Sequence, residues 1–171
     1  VTPKFEEWRK PASVKCAVGG RGAGAKSEST ASLLIQFAEH PSYFGDNIKV
    51  ICLRSVQKSI RDSSYSLLCQ KIEELGYTDF EVTQNYIRNK TNGSYFTFNG
   101  LNDFTASQLK SLDAYTIAYI EEADGVPLEV WDTLEATIRK EWIYKGEKHQ
   151  AEIWAIYNPN TTSDPITQKF V

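Results

Sequence analysis

The chain contains little of what would mark it as secreted, membrane-spanning or zinc-binding. Of its 171 residues three are cysteine and two are histidine, too few and too widely spaced for a disulfide framework or a zinc site. No apolar run approaches the ~20 residues of a transmembrane helix, and the N-terminus lacks the hydrophobic centre of a secretory signal. The net charge is −3 at pH 7, so an overall positive charge typical of nucleic-acid binding is also missing. We expect a soluble, cytosolic protein whose contacts with DNA, if any, are local.

Methionine is absent altogether, and the chain starts at Val1. For these two reasons we expect the sequence to be a fragment of a longer protein. Hydrophobic residues make up 41% of the chain, which is enough to bury one substantial core. Residues 1–171 are therefore predicted to form a single domain.

Short apolar runs alternate with longer segments of helical periodicity, a pattern typical of an α/β protein with a mostly parallel sheet flanked by helices. The predicted strands cover residues 14–18, 48–53, 115–120 and 153–157. The predicted helices cover residues 31–38, about 56–75 and 127–139, and a segment that starts at 164. Residues 80–82, 86–88 and 95–98 are predicted to form a small antiparallel hairpin extension. The first dozen residues and residues 144–150 are predicted to be mobile.

A glycine-rich loop follows the first predicted strand and closes on Lys-Ser before a helix. It comprises Gly19, Gly20, Arg21, Gly22, Ala23, Gly24, Ala25, Lys26 and Ser27. A strand, a glycine loop and a helix N-terminus form a polyphosphate site, because glycines let backbone N–H groups converge on phosphate oxygens. Lys26 adds a positive charge to such a site, and Ser27 offers a hydroxyl for a bound magnesium ion.

The spacing of this loop is irregular. The usual pattern is Gly, four residues, Gly, Lys and then Ser or Thr. Counted from Gly20, Ala25 stands where Gly is expected; counted from Gly19, Gly24 fits but Lys26 comes one residue late. If the position before Lys26 requires positive φ, Ala is strained there where Gly is not. A simple strand-to-helix connection is the alternative interpretation of this segment.

Polar side chains follow two later strands, at the edge where ligands bind in open α/β sheets. Glu121 and Glu122 follow the strand at 115–120, and Asn158 follows the strand at 153–157. In phosphoryl transfer to water, one carboxylate can hold hydrated magnesium and the next can orient or deprotonate the attacking water. A solvated acidic turn and a plain Asn-Pro turn are the alternatives. Together with the glycine loop, however, these residues predict a nucleotide site.

In their order along the chain, these motifs resemble the ATPase half of the large subunit of tailed-phage DNA-packaging terminases. The resemblance is carried by the Gly-Gly-Arg-Gly start of the loop and by ICLRSVQKSIRDSSYSLL, FTFNG, LKSLD, IEEAD, WDTLEATIRK and YNPN. It implies a P-loop NTPase of the additional-strand, catalytic-glutamate type that hydrolyses ATP with magnesium. The C-terminal nuclease domain of this family is absent from the chain, so we expect no nuclease activity.

The resemblance also implies roles for residues around the phosphates. Lys26 and Ser27 would contact phosphate and magnesium, Glu121 would lie on the magnesium side, and Glu122 would be the catalytic carboxylate. Arg21, inside the loop, would stabilise charge on the transferring phosphoryl group. A loop-surface arginine is the alternative for Arg21.

Two further roles concern coupling and the adenine. Asn158 falls in the motif with which such motors couple hydrolysis to movement. Adenine recognition would come from just before the first strand, where Trp8 has Phe5 and Arg9 as neighbours. Packing of Trp8 on the core is the alternative.

The partners implied are double-stranded viral DNA, the portal protein of the procapsid, a small terminase subunit and further copies of the chain in a ring, all in the host cell cytoplasm. Arg54, Lys58 and Arg61 have the spacing of one helical face, which would suit DNA phosphates; a solvated face is the alternative. The rival functions are a nucleotide-binding module that does not hydrolyse and a helicase-like, nucleic-acid-dependent ATPase.

Overall fold

A computed structural model describes residues 3–19, 25–54, 64–101, 104–159 and 164–170 of the chain. Several residues singled out by the sequence lie outside these ranges, namely Gly20, Arg21, Gly22, Ala23, Gly24, Lys58 and Arg61. Within the described ranges no helix has both the length and the apolar character needed to cross a membrane.

The described residues form a seven-stranded sheet, a separate two-stranded hairpin and flanking helices. The sheet contains β1 (Val14–Val18), β2 (Lys49–Arg54), β3 (Phe80–Val82), β4 (Tyr86–Asn89), β5 (Tyr95–Gly100), β6 (Ile117–Glu121) and β9 (Glu152–Tyr157), and the hairpin contains β7 (Glu141–Tyr144) and β8 (Glu147–Gln150). The α-helices are α1 (Pro3–Glu6), α2 (Ala25–Glu39), α3 (Ser66–Glu74), α4 (Ala106–Leu109), α5 (Leu128–Thr137) and α6 (Pro165–Phe170). Turns of 3₁₀ helix cover Glu7–Arg9, Pro41–Tyr43, Lys110–Ala114 and Ala123–Gly125.

The strand order of the large sheet is β1-β9-β6-β2-β5-β4-β3. The first five of these strands run parallel, and β4 and β3 continue the sheet antiparallel. Every residue of β6 and β9 is buried, because helices cover both faces of a parallel sheet and its strands are mostly apolar. The predicted α/β class with a mostly parallel sheet and an antiparallel extension is confirmed.

The two faces of the sheet pack against different helices. Tyr119 and Ile156 belong to the core cluster that contains the buried residues of α2 and α3. Their strand neighbours Ile120 and Tyr157 belong to the cluster that contains the buried residues of α5 and α6. Since side chains alternate along a strand, Glu121 follows Tyr119 onto the α2 face.

Predicted element boundaries agree with the structure to different degrees. The strands predicted at 14–18 and 80–82 are confirmed to the residue. The helix predicted from 31 begins earlier, at Ala25, because the end of the glycine loop already forms its first turn. The helix predicted at 127–139 spans Leu128–Thr137, with Pro127 at its N-cap rather than in its first turn.

The two segments predicted to be mobile carry regular secondary structure. Helical turns occupy residues 3–9, and residues 144–150 belong to the β7–β8 hairpin. The turn residues Lys145 and Gly146 both have positive φ, 49° and 80°, as a two-residue hairpin turn requires. Trp142 fixes the hairpin to the domain by donating from Nε1 to the Phe44 carbonyl oxygen at 2.6 Å.

Candidate functional site

Four neighbouring parallel strands bring the predicted site residues to one edge of the sheet. Gly19 follows β1, Asn158 follows β9, Glu121 ends β6 and Arg54 ends β2. Because the carboxyl ends of parallel strands meet at the same edge, residues far apart in the sequence become neighbours. The site is therefore a property of the sheet order and not of one continuous motif.

Lys26 connects the glycine loop with the strand that carries Asn158. Its Nζ donates to the Gly19 carbonyl oxygen at 2.9 Å and to Asn158 Oδ1 at 2.7 Å. A Cβ atom on Gly19 would lie 3.1 Å from that Nζ, so glycine allows the close approach of the lysine. Partial burial lowers the pKa of Lys26 from its ordinary value. Two elements predicted to share a phosphate site are thus in direct contact.

Ala25 and Ser27 lie in the first turn of α2. Among the described residues other than glycine, positive φ occurs at Glu122 and Lys145, so Ala25 has the backbone of an ordinary helical residue. The strain considered for alanine before Lys26 does not arise there. Ser27 is half-buried, on a turn whose N–H groups have no partner within the helix and suit phosphate oxygens.

Replacing Ala25 by Gly is expected to restore the usual motif without improving nucleotide binding. The substitution should lower the free energy of unfolding by up to ~1 kcal/mol, because glycine in a helix costs more conformational entropy than alanine. Urea unfolding and titration with a fluorescent ATP analogue measure the two effects. Ala136→Gly, at an exposed position of α5, reports the helix cost away from the site. Tighter nucleotide binding by Ala25→Gly alone would contradict the expectation.

The two adjacent glutamates occupy different environments. Glu121 is 5% exposed at the end of β6, whereas the side chain of Glu122 is 61% exposed. Glu122 leaves the strand in the left-handed region, with φ 50° and ψ 48°, so the extended geometry predicted for the pair ends at Glu121. A non-glycine residue in this region is under strain of ~1–2 kcal/mol, and such strain concentrates at functional sites.

Tyr119 contacts Glu121 from two residues earlier on the same face of β6. Its hydroxyl donates to Glu121 Oε1 at 3.0 Å. Burial, with the charge of Glu121 as the next cause, raises the pKa of Tyr119 well above its ordinary value, so the phenol stays protonated. Tyr119 is not among the residues predicted from the sequence, although its position two residues before Glu121 places it on the same face of the strand.

Arg54 forms an ion pair with Glu122. Its Nη2 donates to Glu122 Oε1, and the Arg54 side chain is 15% exposed. Arg54 is the last residue of β2, so its predicted place on a helical DNA-binding face is wrong: the strand continues one residue beyond the predicted boundary. Lys58 and Arg61 lie outside the described residues.

The residues predicted for adenine lie within or beside the core. Trp8 is 8% exposed, and its ring meets Trp154 edge-to-face at 5.2 Å. Arg9 donates to Gln36 Oε1 at 2.9 Å. This placement agrees with the alternative interpretation, in which Trp8 packs on the core. A role of Trp8 in adenine binding stays a prediction.

Arg21 and the loop residues from Gly20 to Gly24 lie outside the described residues, so their roles at the phosphates stay predictions. The described part of the site offers oxygen donors of the kind that magnesium prefers, a hydroxyl on Ser27 and a carboxylate on Glu121. Ser27 belongs to α2, and the Glu121 side chain lies on the face of the sheet that packs against α2. The chemistry of these donors fits the predicted magnesium ion.

The sheet order and the site define the class of fold. β9 lies between β1, which leads to the lysine, and β6, which ends at Glu121, so β9 is the additional strand of the type that the family resemblance implies. The chain has the fold of a P-loop NTPase.

The chain belongs to the phage terminase large subunit family. The sequence model of that family, described as "Phage terminase large subunit", matches residues 12–171. A comparison with curated proteins gives no match.

Solved structures of related architecture come from phage packaging proteins. The large terminase of the thermophilic bacteriophage D6E superposes with a TM-score of 0.70 at 16% identity, covering 97% of this chain and 40% of that one. The same terminase in complex with ATP-gamma-S gives 0.67 at 17% identity, covering 97% and 39%. The bacteriophage Phi-29 genome packaging motor assembly gives 0.60 at 12% identity, covering 99% and 50%. The chain thus spans about two fifths of the D6E terminase.

Proposed function

We propose that this chain is the ATP-hydrolysing domain of a phage DNA-packaging motor. The observation that carries the proposal is the meeting of Lys26, Asn158 and the two glutamates at one sheet edge, with Lys26 and Asn158 in direct contact. Membership of the terminase family supports it, as does the superposition on a terminase that was solved with ATP-gamma-S.

In the proposed reaction a water molecule attacks the γ-phosphorus in line with the bond to the leaving ADP. Lys26 holds the β- and γ-phosphate oxygens, and Glu122 orients the water and accepts its proton. Ser27 and Glu121 would hold magnesium, which when bound neutralises charge on the phosphate oxygens. Arg21 would add a further positive charge near the γ-phosphate. The buried Glu121 and the exposed Glu122 suit these different tasks.

The Lys26–Asn158 contact suggests how nucleotide binding at the site changes the structure of the sheet. A γ-phosphate is a stronger partner for the lysine than a neutral amide, because both partners are then charged. Phosphate binding would therefore draw Lys26 away from Asn158 and change the end of β9. We propose that this exchange is the first step in coupling hydrolysis to movement.

The proposed setting is a ring of copies of this domain at the portal of a procapsid in the host cytoplasm. Hydrolysis in the ring would translocate double-stranded DNA into the procapsid, with a small terminase subunit as a further partner. The superposition on the Phi-29 packaging motor assembly supports this setting. The chain spans half of that protein, so these partners belong to the proposal for the whole protein.

Phosphate release from ATP tests the proposal on the chain as it stands. We expect release with magnesium that stops with EDTA and rises with double-stranded DNA more than with single-stranded DNA. A mock preparation from cells that lack the gene, carried through the same purification, is the blank for contaminating ATPases.

Two outcomes would contradict the proposal. ATP binding without release above the blank would favour a nucleotide-binding module that does not hydrolyse. Stimulation by single-stranded DNA alone would favour a helicase-like ATPase.

A further inference from the structure

Tyr119 is a buried residue whose hydroxyl contacts Glu121 of the candidate site. The side chain is 1% exposed, it lies opposite Cys52 of β2 in the strand register, and its hydroxyl is 3.0 Å from Glu121 Oε1. A carboxylate accepts hydrogen bonds and does not donate them, so the phenol is the donor. Apolar residues of the α2 face surround the ring, and the site lies at the end of the same strand.

We propose that Tyr119 is a positioning residue for the magnesium site, which rests on the proposed role of Glu121. A carboxylate at a strand end can rotate about its terminal bond. The bond from Tyr119 to Oε1 fixes that rotation, so the direction in which Glu121 faces a ligand is set from within the core. Residues that hold a ligating carboxylate in this way affect metal affinity although they do not touch the metal.

The geometry of the strand makes this assignment specific. Tyr119 and Glu121 are two residues apart on one face of β6, so the strand fixes their backbone spacing and directs both side chains to the same side, where the phenol reaches Glu121 Oε1. Both groups are enclosed, so water competes little for their hydrogen bond, and the charge on the acceptor makes the bond strong.

Tyr119→Phe tests the inference, because it keeps the ring and removes the hydroxyl. Calorimetry measures the Mg²⁺ concentration at which ATP-gamma-S binding is half-maximal. Electron paramagnetic resonance measures the affinity of the protein–ATP-gamma-S complex for Mn²⁺. We expect both metal affinities to fall by about 10- to 100-fold, while binding of ATP-gamma-S in EDTA stays unchanged. Tyr115→Phe is the matched control, since its hydroxyl lies 3.0 Å from Thr97 Oγ1 and away from the glutamates.

A second measurement asks whether Tyr119 acts through Glu121. In a Glu121→Ala background, Tyr119→Phe should weaken metal binding no further. An equal loss in both backgrounds would overturn the inference, because the hydroxyl would then act by another route. Thermal unfolding of each variant confirms that the comparison is made between folded proteins.

The positioning role of Tyr119 and the metal-binding role of Glu121 can be contradicted separately. If Tyr119→Phe binds metal like the unchanged chain while Glu121→Ala loses metal dependence, the positioning role is wrong and the proposed function stands. If Glu121→Ala also keeps its metal affinity, the role of Glu121 in the proposed function is wrong.

Discussion

Replacing Glu122 by Gln is expected to leave ATP binding intact and to slow hydrolysis by roughly 100- to 10,000-fold, the usual range for a lost general base. Glutamine has nearly the shape of glutamate, and its amide oxygen can still accept from Arg54, the partner of Glu122 in the structure. It cannot take a proton from water. The substitution therefore removes one chemical step and keeps the surroundings of the side chain.

The measurement is single-turnover hydrolysis with saturating protein, alongside titration with a fluorescent ATP analogue. Glu129→Gln is the matched control, because Glu129 is an exposed carboxylate in the first turn of α5. We expect that variant to hydrolyse ATP like the unchanged chain. Hydrolysis by Glu122→Gln within a few-fold of the control would remove Glu122 from the catalytic role.

The edge of the candidate site could be predicted from the sequence because parallel sheets constrain where polar residues can stand. The strands that end at Val18, Glu121 and Tyr157 are mostly apolar. They are followed by the glycine loop, by Glu122 and by Asn158, so each carboxyl end could be recognised in the sequence. Which strands are neighbours in the sheet was not predicted from the sequence and is seen in the structure. The direct contact between Lys26 and Asn158 depends on that order, and local patterns do not contain it.

The features that the sequence did not predict depend on contacts between residues far apart in the chain, or on backbone conformations that local patterns do not encode. The β7–β8 hairpin alternates weakly between apolar and polar residues, and contacts such as Trp142 with Phe44 hold it in place. Glu122 leaves its strand in the left-handed region, which glutamate rarely adopts and sequence patterns do not predict. Arg54 was assigned to a helix because its spacing to later basic residues is also helical.

A further missed feature is a buried ion pair at the opposite edge of the sheet. Lys15 of β1 and Glu152 of β9 are paired with side chains 4% and 1% exposed. Lys15 also donates to the Trp8 carbonyl oxygen at 2.6 Å, and Glu152 accepts from Trp154 Nε1 at 2.9 Å and from the Ala12 backbone N–H at 3.3 Å. The pair thus joins two strands and the N-terminal segment.

The charges of this pair are costly to bury and costly to separate. Burial lowers the pKa of Lys15 and raises the pKa of Glu152, and the attraction between the two groups opposes both shifts. Because desolvation offsets most of that attraction, an intact buried pair adds little net stability. Removal of one partner is different, since it leaves the other charge buried without compensation.

Glu152→Gln is therefore expected to lower the free energy of unfolding by ~3–5 kcal/mol, a large part of the ~5–15 kcal/mol typical of a domain. Urea unfolding measures the loss. The matched control is Glu141→Gln, which breaks an exposed pair with Lys148 at 3.0 Å and should cost less than ~1 kcal/mol.

The double variant Lys15→Met with Glu152→Gln separates the charge from the hydrogen bonds. The amide oxygen introduced at position 152 can still accept from Trp154 Nε1, whose bond ends on Glu152 Oε1, whereas the amide nitrogen replaces the Oε2 that accepts from the Ala12 N–H. No uncompensated charge is left in the core. The double variant should thus be more stable than the sum of the two single losses predicts. If Glu152→Gln lowers the free energy of unfolding no more than Glu141→Gln does, Lys15 and Glu152 are not both charged in the folded protein. If the loss in the double variant equals the sum of the two single losses, the two groups do not interact.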